Sequence, residues 1–574
     1  LQNMPNDSPI TGLCNALTPT ASKIMNKSVQ LPVVIFSLAF LWSEKAQSQN
    51  AFNGFIGGTE GSLLTTSNWS LAGLPGVAND AVFAGATGTG IRKLTAGSLT
   101  VGSFNVTTNA GTYGIRNETS TTANSTLTLG GIGNLGNSVS GNSSDLIYVN
   151  QGATLNIWGT NGGTGTGILN VILGENGNLN IAGSSQISAG ISGGYGITKT
   201  GAGTLILAGT NTYTGDTTVA GGVLQISNAN ALQNSTLNIS NGTVAFTAAD
   251  TTFNLGGLAG TNNLNLNAKT LRVGNNNAST TYTGRLTNVG SLTKVGAGTL
   301  TLAGSNTYTG STLVEGGRLS VNGSLSSAVT VTNSGVLGGS GVIGGAVTLN
   351  GGTLAPGNSI ESLAMDELTL NHGSTFAMEL DSSLSLSLAG DLVKVSGHLN
   401  LIDTVYLTLF DLASSPTAFG LDTTFTLINY SGTWNTNYFT FGEMLLTNNA
   451  TFAAGLNTWQ ITYNATNGGS NFAGEYFGDG SSYVNIAAVP EPSTYALLAL
   501  TGVVLAAYRW RSSARRSVQR ARVLGGSRDF GIRPYSDRSA AAGSIWAARA
   551  AGRKPASAAA AMIQTGVHAS VSHG

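Results

Sequence analysis

The chain has 574 residues, a formal net charge of zero and only 9% charged side chains, against roughly 25% in an ordinary soluble domain. No global field therefore draws it to nucleic acid or to an acidic surface. Glycine occurs 81 times and hydrophobic residues make up 41%, so the chain can build a core and lacks the charge excess of ordinary disordered segments.

Residues 1–24 carry no recognisable element and are read as a non-native upstream extension. Met25 begins Met-Asn-Lys, and residues 31–42 run LPVVIFSLAFLW. A short basic stretch, an apolar run of this size and small residues at Ala46 and Ser48 make a secretory signal peptide over 25–49. The run is too short for a membrane helix of about 20 residues. The single cysteine, Cys14, precedes this signal. No disulfide, thiol chemistry or lipid-bearing cysteine is therefore expected in the exported chain.

Two later segments repeat each other. Residues 197–222 read ITKTGAGTLILAGTNTYTGDTTVAGG and residues 292–317 read LTKVGAGTLTLAGSNTYTGSTLVEGG. Lys199 aligns with Lys294 and Tyr213 with Tyr308. TLILAG and TLTLAG alternate at period two, which turns Leu205, Leu207, Leu300 and Leu302 to one side of their strands. Asn-Thr-Tyr-Thr-Gly reads as turn chemistry, and the Gly-Gly pair joins two further short strands. Recurring short strands with small turn residues mark a stacked solenoid, in which no rung buries its apolar face alone. The two lysines are expected to cap or solubilise an edge. Residues 153–163, 177–190 and 323–357 are looser versions of the same grammar.

The two segments resemble the autotransporter-associated β-strand repeat, also called the passenger-associated transport repeat. NWSLAGLPGVANDAVF at 68–83 resembles an opening rung of such proteins, and GTLAPGN at 352–358 a closing one. The resemblance implies an all-β exported bacterial protein, a right-handed parallel β-helix or solenoid over residues 50–370. Residues 371–488 hold more aromatics and fewer glycines and are read as a β-rich cap. The segment is too short for the usual membrane barrel of a self-exporting passenger.

Pro490-Glu491-Pro492 then precedes an apolar stretch, residues 493–510, with a basic cluster at its far end: Arg509 inside it and Arg511, Arg515 and Arg516 just after it. As a helix the stretch spans roughly 27 Å, the short end of a bilayer crossing. Tyr495, Tyr508 and Trp510 fall at its ends, and the arginines place its far end in the cytoplasm. Triplet, span and arginine cluster resemble the PEP-CTERM sorting signal of Gram-negative bacteria. That resemblance implies an exosortase-like processing enzyme as partner, a transient inner-membrane anchor, and release or attachment at the cell surface or outer membrane beside exopolysaccharide. Residues 517–574 depart from that pattern and read as a disordered, basic, low-complexity tail.

Chemistry-bearing groups are few. His372 and His398 read as surface or edge residues. Asp366 and Glu367, and Asp381, Asp391 and Asp403, lie near one another in sequence without a metal-loop signature. No cofactor, no metal, no nucleic-acid partner and no enzymatic activity is expected. The expected function is that of a surface or extracellular-matrix structural or adhesive protein. The alternative is a polysaccharide-active β-helix lyase or hydrolase, which requires three or more carboxylates and an arginine in one groove.

Overall fold

The computed structural model describes residues 49–51, 60–62, 80–83, 90–94, 97–117, 122–130, 145–160, 166–247, 249–383, 390–471, 481–491, 503–506 and 508–509. The expected signal peptide before Gln49, most of residues 492–516 and the residues 517–574 fall outside them. The chain divides into two compact units, Leu1–Glu491 and Pro492–Gly574.

The first unit is built from circuits of short strands. Gly177–Ile181, Ser184–Ile187 and Gly190–Ser192 follow one another with alternating burial. The chain then returns on itself: Ile197–Thr200 lies parallel on the first of these and Thr204–Leu207 on the second. Alternation at period two gives each strand an inward apolar side, but one circuit leaves both backbone edges open. The next circuit satisfies them, which is why the rungs stack. Leu205, Leu207, Leu300 and Leu302 all point inward and are buried, at no more than 1% exposed. They join a single apolar cluster that runs from Ala81 to Ala488.

The registers show how the two repeats sit in the stack. Lys199 pairs with Val219, then Ile239, Gly260, Tyr282 and Leu302 in successive rungs. Lys294 lies in another ladder, above Val273, Leu255 and Leu232. The second repeat is therefore rotated one face round the solenoid relative to the first. Early rungs advance by 20 residues, from Lys199 to Val219 to Ile239. The two lysines are separated by five rungs less one strand. Long strands turn the corners between faces: Thr312–Val321 pairs with Gly290–Lys294 through its first half and with Thr299–Leu302 through its second.

The parallel ladder runs past residue 370. Thr375–Leu380 lies between Thr353–Leu354 and Val405–Asp411, and Leu399–Leu401 stacks on Leu368–Leu370. Here Leu370 pairs with Leu401, a step of 31 residues, so the change in composition after 371 first marks longer rungs. Antiparallel pairing enters later. Ser482–Val489 lies between Thr424–Tyr430 and Asn457–Ala465, with Thr451–Ala454 outermost. Hairpins reverse within a few residues, which lets the chain fold back over the last rungs.

In the second unit residues 503–506 and 508–509 are helical. Among the described residues no helix is long and apolar enough to cross a membrane, and the expected span at 493–510 lies largely outside them.

Candidate functional site

The residues shared by the two repeats form buried polar ladders. Lys199 is 0% exposed and Lys294 1%, which corrects the expectation that they cap or solubilise an edge. The Lys199 ammonium donates to the carbonyls of Thr200 at 2.6 Å, Gly201 at 2.8 Å and Gly221 at 3.2 Å. Lys294 repeats the arrangement on Val295 at 2.6 Å, Gly296 at 3.0 Å and Gly316 at 3.1 Å. Two carbonyls come from the lysine's own turn and one from the turn of the next rung. The cage depends on glycine. Gly201 and Gly222 have φ of +72° and +61°, a region other residues rarely adopt. A Cβ on Gly222 would also stand 2.8 Å from the Lys199 Nζ. Burial pulls both ammonium groups down to about 8, because removing a cation from water disfavours its charged form.

The Asn-Thr-Tyr-Thr-Gly segments are more than turns. Asn211 accepts from the Ile191 N–H at 2.9 Å and donates to Ala231 O at 2.9 Å, one rung below and one above. Asn306 likewise accepts from Leu286 N–H and donates to Ser324 O. Each side chain continues the backbone ladder where the chain bends at a corner. Tyr213 and Tyr308 are buried with their rings in the core. Their hydroxyls meet Thr217 at 2.6 Å and Thr312 at 2.5 Å, which in turn meet Ser235 and Ser327. Burial pushes both phenols up to about 12, against the opposing effect of those hydroxyl contacts.

Both segments match the family model for the passenger-associated-transport-repeat, at residues 197–226 and 292–321. This repeat is associated with exported passenger domains, consistent with an exported or cell-surface protein that is passenger-like and extracellular. No curated protein matches the chain. In physical terms the repeat is a rung with three internal polar fasteners: a lysine cage, an asparagine bridge and a tyrosine–threonine–serine relay. The signal for the cage was present in the sequence. In both copies a single residue separates the lysine from a Gly-Ala-Gly turn, and a Gly-Gly pair begins 22 residues after the lysine.

The acids sort into separate places. Asp391 is 1% exposed, and its two oxygens accept from the N–H groups of Glu361 at 3.1 Å and Glu379 at 3.0 Å. Arg318 donates to Ala355 O at 3.0 Å and to Gly357 O. Glu361 accepts from Asn358 N–H at 3.1 Å. Burial raises the Asp391 carboxyl to about 7; the two N–H donors and the Arg318 charge oppose that rise, and the Glu379 charge adds to it. This cluster holds three carboxyls and an arginine, but they pin the 355–361 bend and the next rung to one another. Asp381 accepts from Ser383. Asp366 accepts from Ser396 in a groove of about 360 Å³ lined also by Val342, Lys394 and Asn429. His372 forms an exposed pair with Asp403 at 3.2 Å, and exposed His398 contacts Thr433. Among the described residues no group of three or more His, Cys, Asp and Glu is placed to hold a metal ion.

The Pro490-Glu491-Pro492 triplet, expected to be a sorting motif, begins where the last strand stops. Val489 ends the last strand, paired with Thr458, and the Ala488 N–H donates to Thr423 O at 2.8 Å. Pro490 is half-buried and Glu491 exposed. The division between the two compact units falls inside the triplet, between Glu491 and Pro492. Arg509 lies in the short helical piece. Pro492, Arg511, Arg515 and Arg516 lie outside the described residues.

Proposed function

We propose that the chain is a structural or adhesive protein of the bacterial cell surface or extracellular matrix, made as a stiff low-charge solenoid and sorted by an exosortase-type enzyme through Pro490, Glu491 and Pro492. The observation that supports it best is the junction at Val489. The last strand is fully paired in the cap, and the triplet follows without a spacer. Cleavage at the triplet removes the apolar segment and basic tail and leaves every rung intact. The chain's polar capital is spent inside the stack, on lysine cages, asparagine bridges and the Asp391–Arg318 clamp, which fits a mechanical role better than a catalytic one. The outward residues are largely Thr, Asn and Ser, suited to hydrogen bonding with hydrated polysaccharide.

The test is peptide mapping of the C-terminus in fractionated host cells, with and without the sorting enzyme. Surface or secreted protein ending within 489–492, dependent on that enzyme, is the expected result. Persistence of peptides from 517–574 on a membrane-bound form would overturn the sorting reading.

A further inference from the structure

The cap has a distinct rim at the point where the chain leaves it. Residues 419–422 and the turn at 455–456 flank Val489. Asp422 N–H donates to Ala488 O at 2.9 Å. Phe419 and Asn457 exchange two hydrogen bonds, N–H to Oδ1 at 2.9 Å and Nδ2 to O at 3.0 Å. Asn457 closes the hairpin opposite Ala454 and adjoins Thr458, the partner of Val489. On this rim stand Leu421, 62% exposed, and Leu456, 63% exposed. They are the most exposed large hydrophobic side chains among the described residues of the first unit.

The segments that carry both leucines are braced by aromatic packing close by in the chain. Phe419, Phe425 and Trp459 pack with ring centroids 5.2 to 6.0 Å apart. Trp459 Nε1 donates to Ala454 O at 3.2 Å and so ties down the hairpin that carries Leu456. Solvent-facing leucines on a firmly supported turn remain poised for a partner, since collapse onto the core is closed to them.

We infer that this rim seats on the outer leaflet of the bilayer, with Leu421 and Leu456 entering the headgroup boundary beside the chain exit. The inference rests on the reading of residues 493–510 as a membrane anchor. From Val489 to Ser493 the chain reaches at most about 14 Å, so an anchored protein holds this end of the cap at the membrane surface. Apolar side chains on such a surface gain by entering the interface to a depth of about 5–10 Å. Asp422 and Glu491, both exposed at the same rim, favour a zwitterionic over an anionic surface. Docking here presents the triplet at a fixed height, within reach of a membrane-embedded processing enzyme.

The test uses the full chain carrying Cys14→Ser and a single cysteine, introduced as Leu421→Cys, Leu456→Cys, Val289→Cys or Ala506→Cys. Each is labelled with a fluorophore and reconstituted into phosphatidylcholine vesicles containing a lipid-attached quencher. Val289 is 57% exposed and lies at least five ladder steps before the cap, roughly 24 Å. The expected result is loss of fluorescence at 421, 456 and 506, with 289 unchanged. Loss at 506 with 421 and 456 matching 289 overturns the docking and leaves the anchor standing. No loss at 506 overturns both. Equal loss at 289, 421 and 456 means that the solenoid lies along the bilayer, and the rim has no special role. Both rim leucines are more than half exposed, so the cysteine variants leave the core untouched.

Discussion

The lysine cages give the sharpest test of how the repeat is held together, through Lys199→Met. Methionine fills much the same volume but removes the donor, leaving the carbonyls of Thr200, Gly201 and Gly221 without the ammonium they face. An orphaned buried acceptor costs about 1–3 kcal/mol, and three of them are affected, some half-exposed and open to water. Against this stands the desolvation of the ammonium. Its fall from 10.5 to about 8 corresponds to roughly 3 kcal/mol by which the cage disfavours the charge relative to water. The two effects oppose, and the loss of three acceptors outweighs the relief, so a net destabilisation of about 1–3 kcal/mol is expected at neutral pH. Rungs of a solenoid open locally, so the assay is hydrogen exchange read on peptides covering 197–226, with 292–321 as an internal control. Faster exchange in the first and none in the second is the expected outcome. The depressed lysine also sets a pH signature. Between about 8 and 10.5 the unfolded chain binds more protons than the folded one, so the wild-type rung gains stability as pH rises through that window. Lys199→Met should lose that gain. A variant as protected as wild type at neutral pH, with the slope unchanged, would refute the reasoning.

Three further outcomes follow from the same geometry. Tyr213→Phe removes one hydroxyl from the relay to Thr217 and Ser235 and should cost about 1 kcal/mol; in wild type, stability tied to the phenol is present below about pH 10 and lost as pH climbs through about 12, a loss to be followed by exchange or circular dichroism. Asp391 is raised from 3.8 to about 7, so its contribution is full below the lower value and declines as pH rises through the upper one. Asp391→Asn should flatten that decline in denaturation curves and cost about 1–3 kcal/mol for the N–H acceptor it removes. Leu300→Ala should cost about 2–5 kcal/mol by opening a core cavity, whereas the outward-facing Thr198→Ala should stay within about 0.5 kcal/mol in the same assay.

Alternating leucines, small corner residues and the two near-identical segments determined by themselves that this chain stacks short strands. Those patterns are local, because a strand's inward side follows from period two and a corner from glycine or asparagine. The sequence likewise displayed Pro490-Glu491-Pro492 ahead of an apolar run. The tertiary structure alone decided the fate of Lys199. A lysine beside a glycine-rich turn looks exposed until the next rung lays the Gly221 carbonyl over it. It also decided that Tyr213 and Asn211 face inward rather than forming a loop. The rotation of the second repeat by one face depends on rung lengths between the copies, summed over strands with no shared motif. Asp391 was legible as an acid near other acids, but its two bonds reach residues 12 and 30 positions away. The physical reason is common to all four. A solenoid writes its core along the strand, where sequence neighbours reveal it, and its polar fasteners across the rungs, where partners are set by how many residues each circuit takes.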